Sequence, residues 1–529
     1  MSKKRWVIGF LALVAAGLAI IASKVITVDP YFHFHAPYTD AYYYELYNPR
    51  SQNDGIAKNF DYEGIVTGSS MTQNFKPSEA DALFGAHFVK LSVSGATYYE
   101  INRNLAVAAQ HNPKLKYVIR GVDMDYFFEE KDKLRMDLGT YPEYLYDENC
   151  FNDVEYVFNR DVLFSRVYPM TKENDAPDFR GGITSFDDYS YWMPLYRFGP
   201  KTVLPNGNTV LPAEEQVELT QQDIDTIRAN VQQNLTALAE QYPNITFYYF
   251  FPPYSAVWWQ NALAKGQLDR QIDAERIVIE EILKYDNIKL FSFNCLFDLT
   301  TDLNNYKDMT HYGAWINSLM IRCMYDGRYR LTAENYLSHL EETRQFYKKY
   351  DYTLLTERED YENDYYAAAL WNREITGAEP YRILEQAALI ELSRASIEPN
   401  QYQGQNGLVC TGSLARPAGS DVSVSQYLRN EEYIGAKIQL PDVSSYKYLV
   451  FCGKKLENHG QIAVRLYDAD GSELLAYDES YYNLDDAWHR YVVDISKVNG
   501  PCTLVLNGGY IDCTGSEDSS YVFSELILY

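Results

Sequence analysis

Between residues 61 and 325, short apolar runs alternate with amphipathic helical segments, and this rhythm restricts the fold more than any other feature of the chain. Residues 63–67, 87–93, 116–122, 245–251 and 288–293 read as five strands. Residues 221–241 and 267–285 read as helices. In the second, Leu268, Ile272, Ile279 and Leu283 recur at helical spacing. Strands separated by helices pair side by side rather than as hairpins. The expected class is therefore α/β, a three-layer sandwich with a parallel sheet covered on both faces.

With 529 residues, the chain is too long for a single core, so two or three domains are expected. A Tyr- and Asp-rich insertion, about 128–215, interrupts the rhythm and either shapes a cleft or forms a structural flap. Asn206-Gly207 between two β-prone runs predicts a hairpin inside it. Residues 331–396 are charged and helical, with an acidic stretch at 357–364, and read as a connector. From 397 to 529 the texture is β. Residues 461–467 alternate strictly, Asp470-Gly471 marks a turn, and 488–495, 502–506 and 521–529 read as further strands, together predicting a β-sandwich.

At the other end, Lys3, Lys4 and Arg5 precede an uncharged apolar run over 6–23, and Lys24 follows it. The run is longer than a usual signal-peptide core. A bulky Ile three positions before the best cut makes a poor cleavage site. Residues 1–24 therefore read as a signal anchor with its basic end in the cytoplasm, a cleaved signal peptide being the alternative. Either way the bulk of the chain, from residue 29, is expected outside a bacterial cell membrane. The formal charge of −26 argues against nucleic acid or an anionic lipid surface as partner. Tyrosine, at 49 copies, suits wet surfaces and sugar stacking, and is as readily explained by drift. Seven cysteines without a Cys-x-x-Cys pair indicate neither a zinc site nor a complete disulfide framework, although four of them, Cys410, Cys452, Cys502 and Cys513, leave room for a bridge or two.

Two segments carry chemistry. Ile65-Val66-Thr67-Gly68-Ser69-Ser70 ends a buried strand in a turn, and a serine there sits at the carboxyl end of the sheet, beside a helix start that favours developing negative charge. Asp308-Met309-Thr310-His311 follows the last strand. Its His is placed to take a hydroxyl proton and its Asp to hold the imidazole tautomer. His33 and His35 flank Phe34, but no further ligands accompany them, so packing rather than metal binding is expected. Phe250-Phe251-Pro252-Pro253-Tyr254 ends the fourth strand and either floors a cleft or makes a tight loop.

A Gly-x-Ser after the first strand, with Asp-x-x-His before the last helix, resembles the SGNH (GDSL-like) hydrolase superfamily over roughly residues 29–325. Within it, the chain is most similar to the membrane-anchored branch that includes the teichoic-acid D-alanine-transfer protein DltD and the alginate acetylation proteins AlgJ and AlgX. The resemblance implies a flavodoxin-like sheet over 29–330. It also implies Ser70 as nucleophile, His311 as base, Asp308 as its partner, and the N–H groups of Ser70 and Gly95 as an oxyanion hole. The family's third donor is an Asn in Gly-x-Asn-Asp, whereas this chain has Gly121-Val122-Asp123. An ionised Asp cannot donate a hydrogen bond. Asp123 and Tyr254 are therefore held as substrate-site candidates. The implied activity is serine ester hydrolysis or O-acyl transfer on a cell-envelope or exported polysaccharide or a teichoic-acid-like polymer. No cofactor or metal is implied, and a multi-span membrane acyltransferase is the implied partner. The tail resembles jelly-roll, carbohydrate-binding modules in texture. The alternative is a non-catalytic glycan-binding or scaffold protein that keeps the fold.

Overall fold

The alternating segment folds into one sheet whose strands are almost wholly buried, which is why each reads as a continuous apolar run. In chain order the elements that frame it are α1 (Lys3–Val28), α2 (Pro49–Asn59), β1 (Gly64–Thr67), α3 (Pro77–Phe84), β2 (Phe88–Lys90), α4 (Tyr98–His111), β3 (Tyr117–Gly121), α5 (Gln221–Val231), β4 (Thr246–Phe251), α6 (Ala256–Ala264), α7 (Leu268–Ile282), β5 (Ile288–Ser292), α8 (Ala314–Asp326), β6 (Arg330–Leu331) and α9 (Tyr336–Lys349). The computed structural model describes residues 3–137, 139–173, 180–357, 365–399, 404, 406–413, 434–457, 461–475, 481–508 and 518–529. Two compact units divide the chain. One comprises Met1–Tyr196, Asn208–Asp302 and Asp308–Leu355; the other comprises Arg197–Gly207, Leu303–Lys307 and Thr356–Tyr529.

In the first unit the strand order is β2-β1-β3-β4-β5-β6. Strands β1 to β5 are parallel and β6 is antiparallel to β5. This 2-1-3-4-5 order reverses its winding at β1, and in doubly wound sheets the crevice beyond the strand ends at such a point is where ligands bind. The covering helices start where their sequences favour it. Thr97 and Glu100 form a capping box on α4, and Ile272 and Ile279 of α7 are fully buried, as their spacing predicts.

Three boundaries differ from the sequence reading. Residues 331–396 are not one connector. Helix α9 belongs to the first unit, where Arg344 and Lys348 both pair with Asp269 of α7 and Tyr347 stacks on Trp259 at 4.5 Å. The second unit's sheets begin before residue 397. Asn206-Gly207 makes no hairpin: Leu204 to Gly207 form a turn, and Glu214 N–H then donates to the Ala264 carbonyl at the end of α6. Of the acidic stretch, residues 358–364 lie outside the described residues.

The second unit contains α10 (Tyr365–Thr376), β7 (Tyr381–Arg382), β8 (Ile390–Ser393), β9 (Ala395–Pro399), β10 (Asn406–Ser413), β11 (Ile434–Asp442), β12 (Tyr448–Glu457), β13 (Gln461–Tyr467), β14 (Tyr481–Asn483), β15 (His489–Asp494), β16 (Pro501–Gly508) and β17 (Asp518–Leu528). Two antiparallel sheets, β8-β11-β16-β13-β14 and β9-β10-β17-β12-β15 with β7 beside β17, make a sandwich. One apolar cluster lies between them. Phe451, Tyr491 and Phe523 contribute to it from one sheet, and Ile438, Val464 and Leu504 from the other. Cys410 and Cys502 are buried thiols, and Cys513 lies outside the described residues.

Helix α1 is long and apolar enough to cross a membrane, and its apolar stretch, though not its end at Val25 and Val28, is unburied.

Candidate active site

Strand β1 delivers its last residues to the crevice through a turn that only glycine suits. Gly68 has φ +145°, and a Cβ there would lie 2.7 Å from the Thr72 side chain. Ser69 and Ser70 then open a single 3-10 turn, capped by the Ser69 hydroxyl, which accepts from the Met71 N–H. Thr72 locks the turn by donating to the Ser69 carbonyl at 2.9 Å. Beside it, Val93 N–H donates to the Gly68 carbonyl at 2.9 Å, bringing the loop of Gly95 alongside. Gly95 has φ +63°, and the Arg135 guanidinium occupies the space where a Cβ would stand. Among the described residues, neither the Ser70 N–H nor the Gly95 N–H has a protein acceptor.

The Asp308–His311 loop reaches this turn from the far end of the domain. Ser70 Oγ and His311 Nε2 are 2.7 Å apart, across 241 residues of sequence. His311 Nδ1 lies 2.9 and 3.0 Å from the two oxygens of Asp308. The Asp308 carboxylate also accepts from the backbone N–H groups of Thr310 and His311, at 2.9 and 2.8 Å. Burial works to raise its pKa. The hydrogen bond and charge of His311, together with those N–H groups, outweigh burial and hold it well below the usual carboxylate range. Ser255 fastens the loop by donating its hydroxyl and its N–H to the Met309 carbonyl. Asn317 of α8 donates to the Met71 carbonyl at 3.0 Å, tying the serine turn to the helix that follows the histidine.

Asp123 and Tyr254 do not line an open cleft. They are 3% and 2% exposed, and the Tyr254 hydroxyl donates to Asp123 Oδ1 at 2.9 Å, which places both behind the site wall. Burial pushes the Asp123 carboxyl up to about 6, against the hydrogen bonds from Ser69 and Tyr254. Sequence reasoning missed Trp192. Its indole N–H donates to the Ser70 carbonyl at 3.1 Å, and its ring stands edge-on to His311 at 5.6 Å. It comes from the insertion, where no spacing singles it out. His33 and His35 lie elsewhere. His33 pairs with Asp153, and His35 bonds the Ile26 and Ala36 carbonyls.

No family model matches the chain, and no curated protein does. Solved structures give partial likenesses. A family 11 carbohydrate-binding module of a Clostridium thermocellum cellulosomal cellulase is 12% identical over 28% of this chain and 85% of its own, at a TM-score of 0.18. An exo-beta-agarase is 11% identical over 28% of this chain and 24% of its own, at 0.19. A protein described as a putative platelet activating factor from Streptococcus pneumonia is 11% identical over 53% of this chain and 90% of its own, at 0.28. None of these scores describes a fold shared over the whole chain.

Proposed function

We propose that the first unit is an SGNH-type acyl-transfer domain, held at the outer face of a bacterial membrane by α1 and acting on O-acyl groups of an envelope or exported polysaccharide. The observation that carries this reading is the unbroken chain from Ser70 Oγ through His311 to Asp308, at 2.7 and 2.9 Å. In the proposed cycle, Ser70 Oγ attacks the ester carbonyl as its proton passes to His311 Nε2, while Asp308 offsets the imidazolium charge. The Ser70 and Gly95 N–H groups face the developing oxyanion. His311 returns the proton to the leaving alkoxide, and water or a polymer hydroxyl then takes the acyl group from Ser70. The full-length protein should hydrolyse an activated acetyl ester. Ser70→Ala and His311→Ala should abolish turnover, whereas Asp308→Asn should leave a residue of it, the equivalent change in serine proteases lowering kcat roughly 10⁴-fold. Turnover unchanged by Ser70→Ala would remove the reading.

A second reading, a glycan-binding or scaffold protein with a degenerate site, draws on Asp123, which stands where the resembled family has an amide donor. It requires glycan retention by the protein and no ester turnover.

A further inference from the structure

We infer that residues 151–168 of the insertion form a collar that sits in the headgroup–acyl boundary of the bilayer crossed by α1, fixing the first unit against the membrane surface. The inference rests on reading α1 as an anchor.

The outer end of α1 does not stand free of the folded unit. Val25 and Val28 are buried in one apolar cluster with Leu145, Tyr156, Val162 and Val167, and Ile21, Leu163 and Met170 pack against it. The segment that grips the helix, including the short helices Val154–Val157 and Leu163–Val167, therefore lies beside the point where α1 leaves the membrane. That segment turns large apolar side chains outward. Phe151 is 84% exposed, Phe164 62% and Tyr168 55%, with Val154 and Phe158 also exposed. Val154 opens and Phe158 caps the first of these short helices, while Phe164 lies on the second and Tyr168 directly follows it.

Length selects the occupant. The apolar run over 6–23 spans about 27 Å at helical rise, against a hydrocarbon core of about 30 Å. Anchoring such a short run draws its outer end, and the collar packed against it, toward the lipid. Aromatic side chains at that depth match the interfacial belts of membrane proteins. Charge gives no competing explanation. Asp147, Glu148, Asp153, Glu155 and Asp161 outnumber Arg160, Arg166 and Lys172 here, and Arg166 is engaged by Glu45 and the Tyr47 ring. Contact should therefore come from apolar burial and need no anionic lipid.

The test uses full-length protein reconstituted in vesicles of zwitterionic phosphatidylcholine with no other protein present. A bimane label is placed at Phe158→Cys, Phe164→Cys, Val14→Cys or Leu337→Cys, with Cys150 and Cys513 changed to Ala. Spin-labelled lipids should quench positions 158 and 164 at about 5–10 Å below the headgroups, quench position 14 more deeply, and leave position 337 bright. Quenching at 14 with none at 158 and 164 overturns the collar and leaves the anchor. No quenching at any position overturns both.

Discussion

Asp123, buried and held at about 6, makes the folded protein sensitive to pH in a direction opposite to that of a salt-bridged carboxylate. An unfolded Asp ionises near 3.9. Between about 3.9 and 6 the folded state binds the extra proton, so the contribution of Asp123 to stability falls as pH rises through this window and is constant above it. The penalty above it is on the order of 3 kcal/mol. Asp123→Asn removes it while still accepting from Tyr254. The variant should melt higher than the native chain at pH 7.5 and nearly equal to it at pH 3.5. An equal gain at both values would refute the assignment. Trp192→Phe removes the one described side-chain donor to the Ser70 carbonyl and should lower kcat more than KM in steady-state kinetics.

At the scale of elements, the turn after β1 is the most fragile piece. Gly68→Ala meets a strained φ and the Thr72 side chain together, so thermal unfolding should show a loss of roughly 1–3 kcal/mol, with ester turnover falling beyond what the lost folded fraction explains. The five parallel strands were legible because burial on both faces leaves little room for polar residues. Asp308 and His311 were legible because they stand three apart after a strand end, and a serine turn stands after another. Trp192 was not: it reaches Ser70 across 122 residues, and no local pattern encodes that approach. Asn206-Gly207 misled because Gly207, at φ +80°, serves a turn after a short helix and the following residues run along α6 instead of pairing back. Strands β7 and β8, two and four residues long, are too short to show alternation, so the sandwich seemed to start at 397.

For the whole molecule, that earlier start has a consequence. A fragment from residue 397 lacks β7 and β8, uncovering Ile527 and Leu528 at the end of β17 and the edge of β11, and unprotected edges invite association. By size-exclusion chromatography it should aggregate more than a fragment from residue 365. Equal behaviour would show that the two short strands protect nothing. In intact cells, added protease should digest the chain, and high salt should leave it with the membranes. Full protection would contradict an outward-facing anchor. The central claim, that Ser70 is a nucleophile activated by His311, is tested most directly by treating the full-length protein with a fluorophosphonate probe and locating the adduct by peptide mass spectrometry. The account predicts one adduct on Ser70, absent in Ser70→Ala and much slower to form in His311→Ala. An unlabelled Ser70, or labelling that persists in Ser70→Ala, would contradict it.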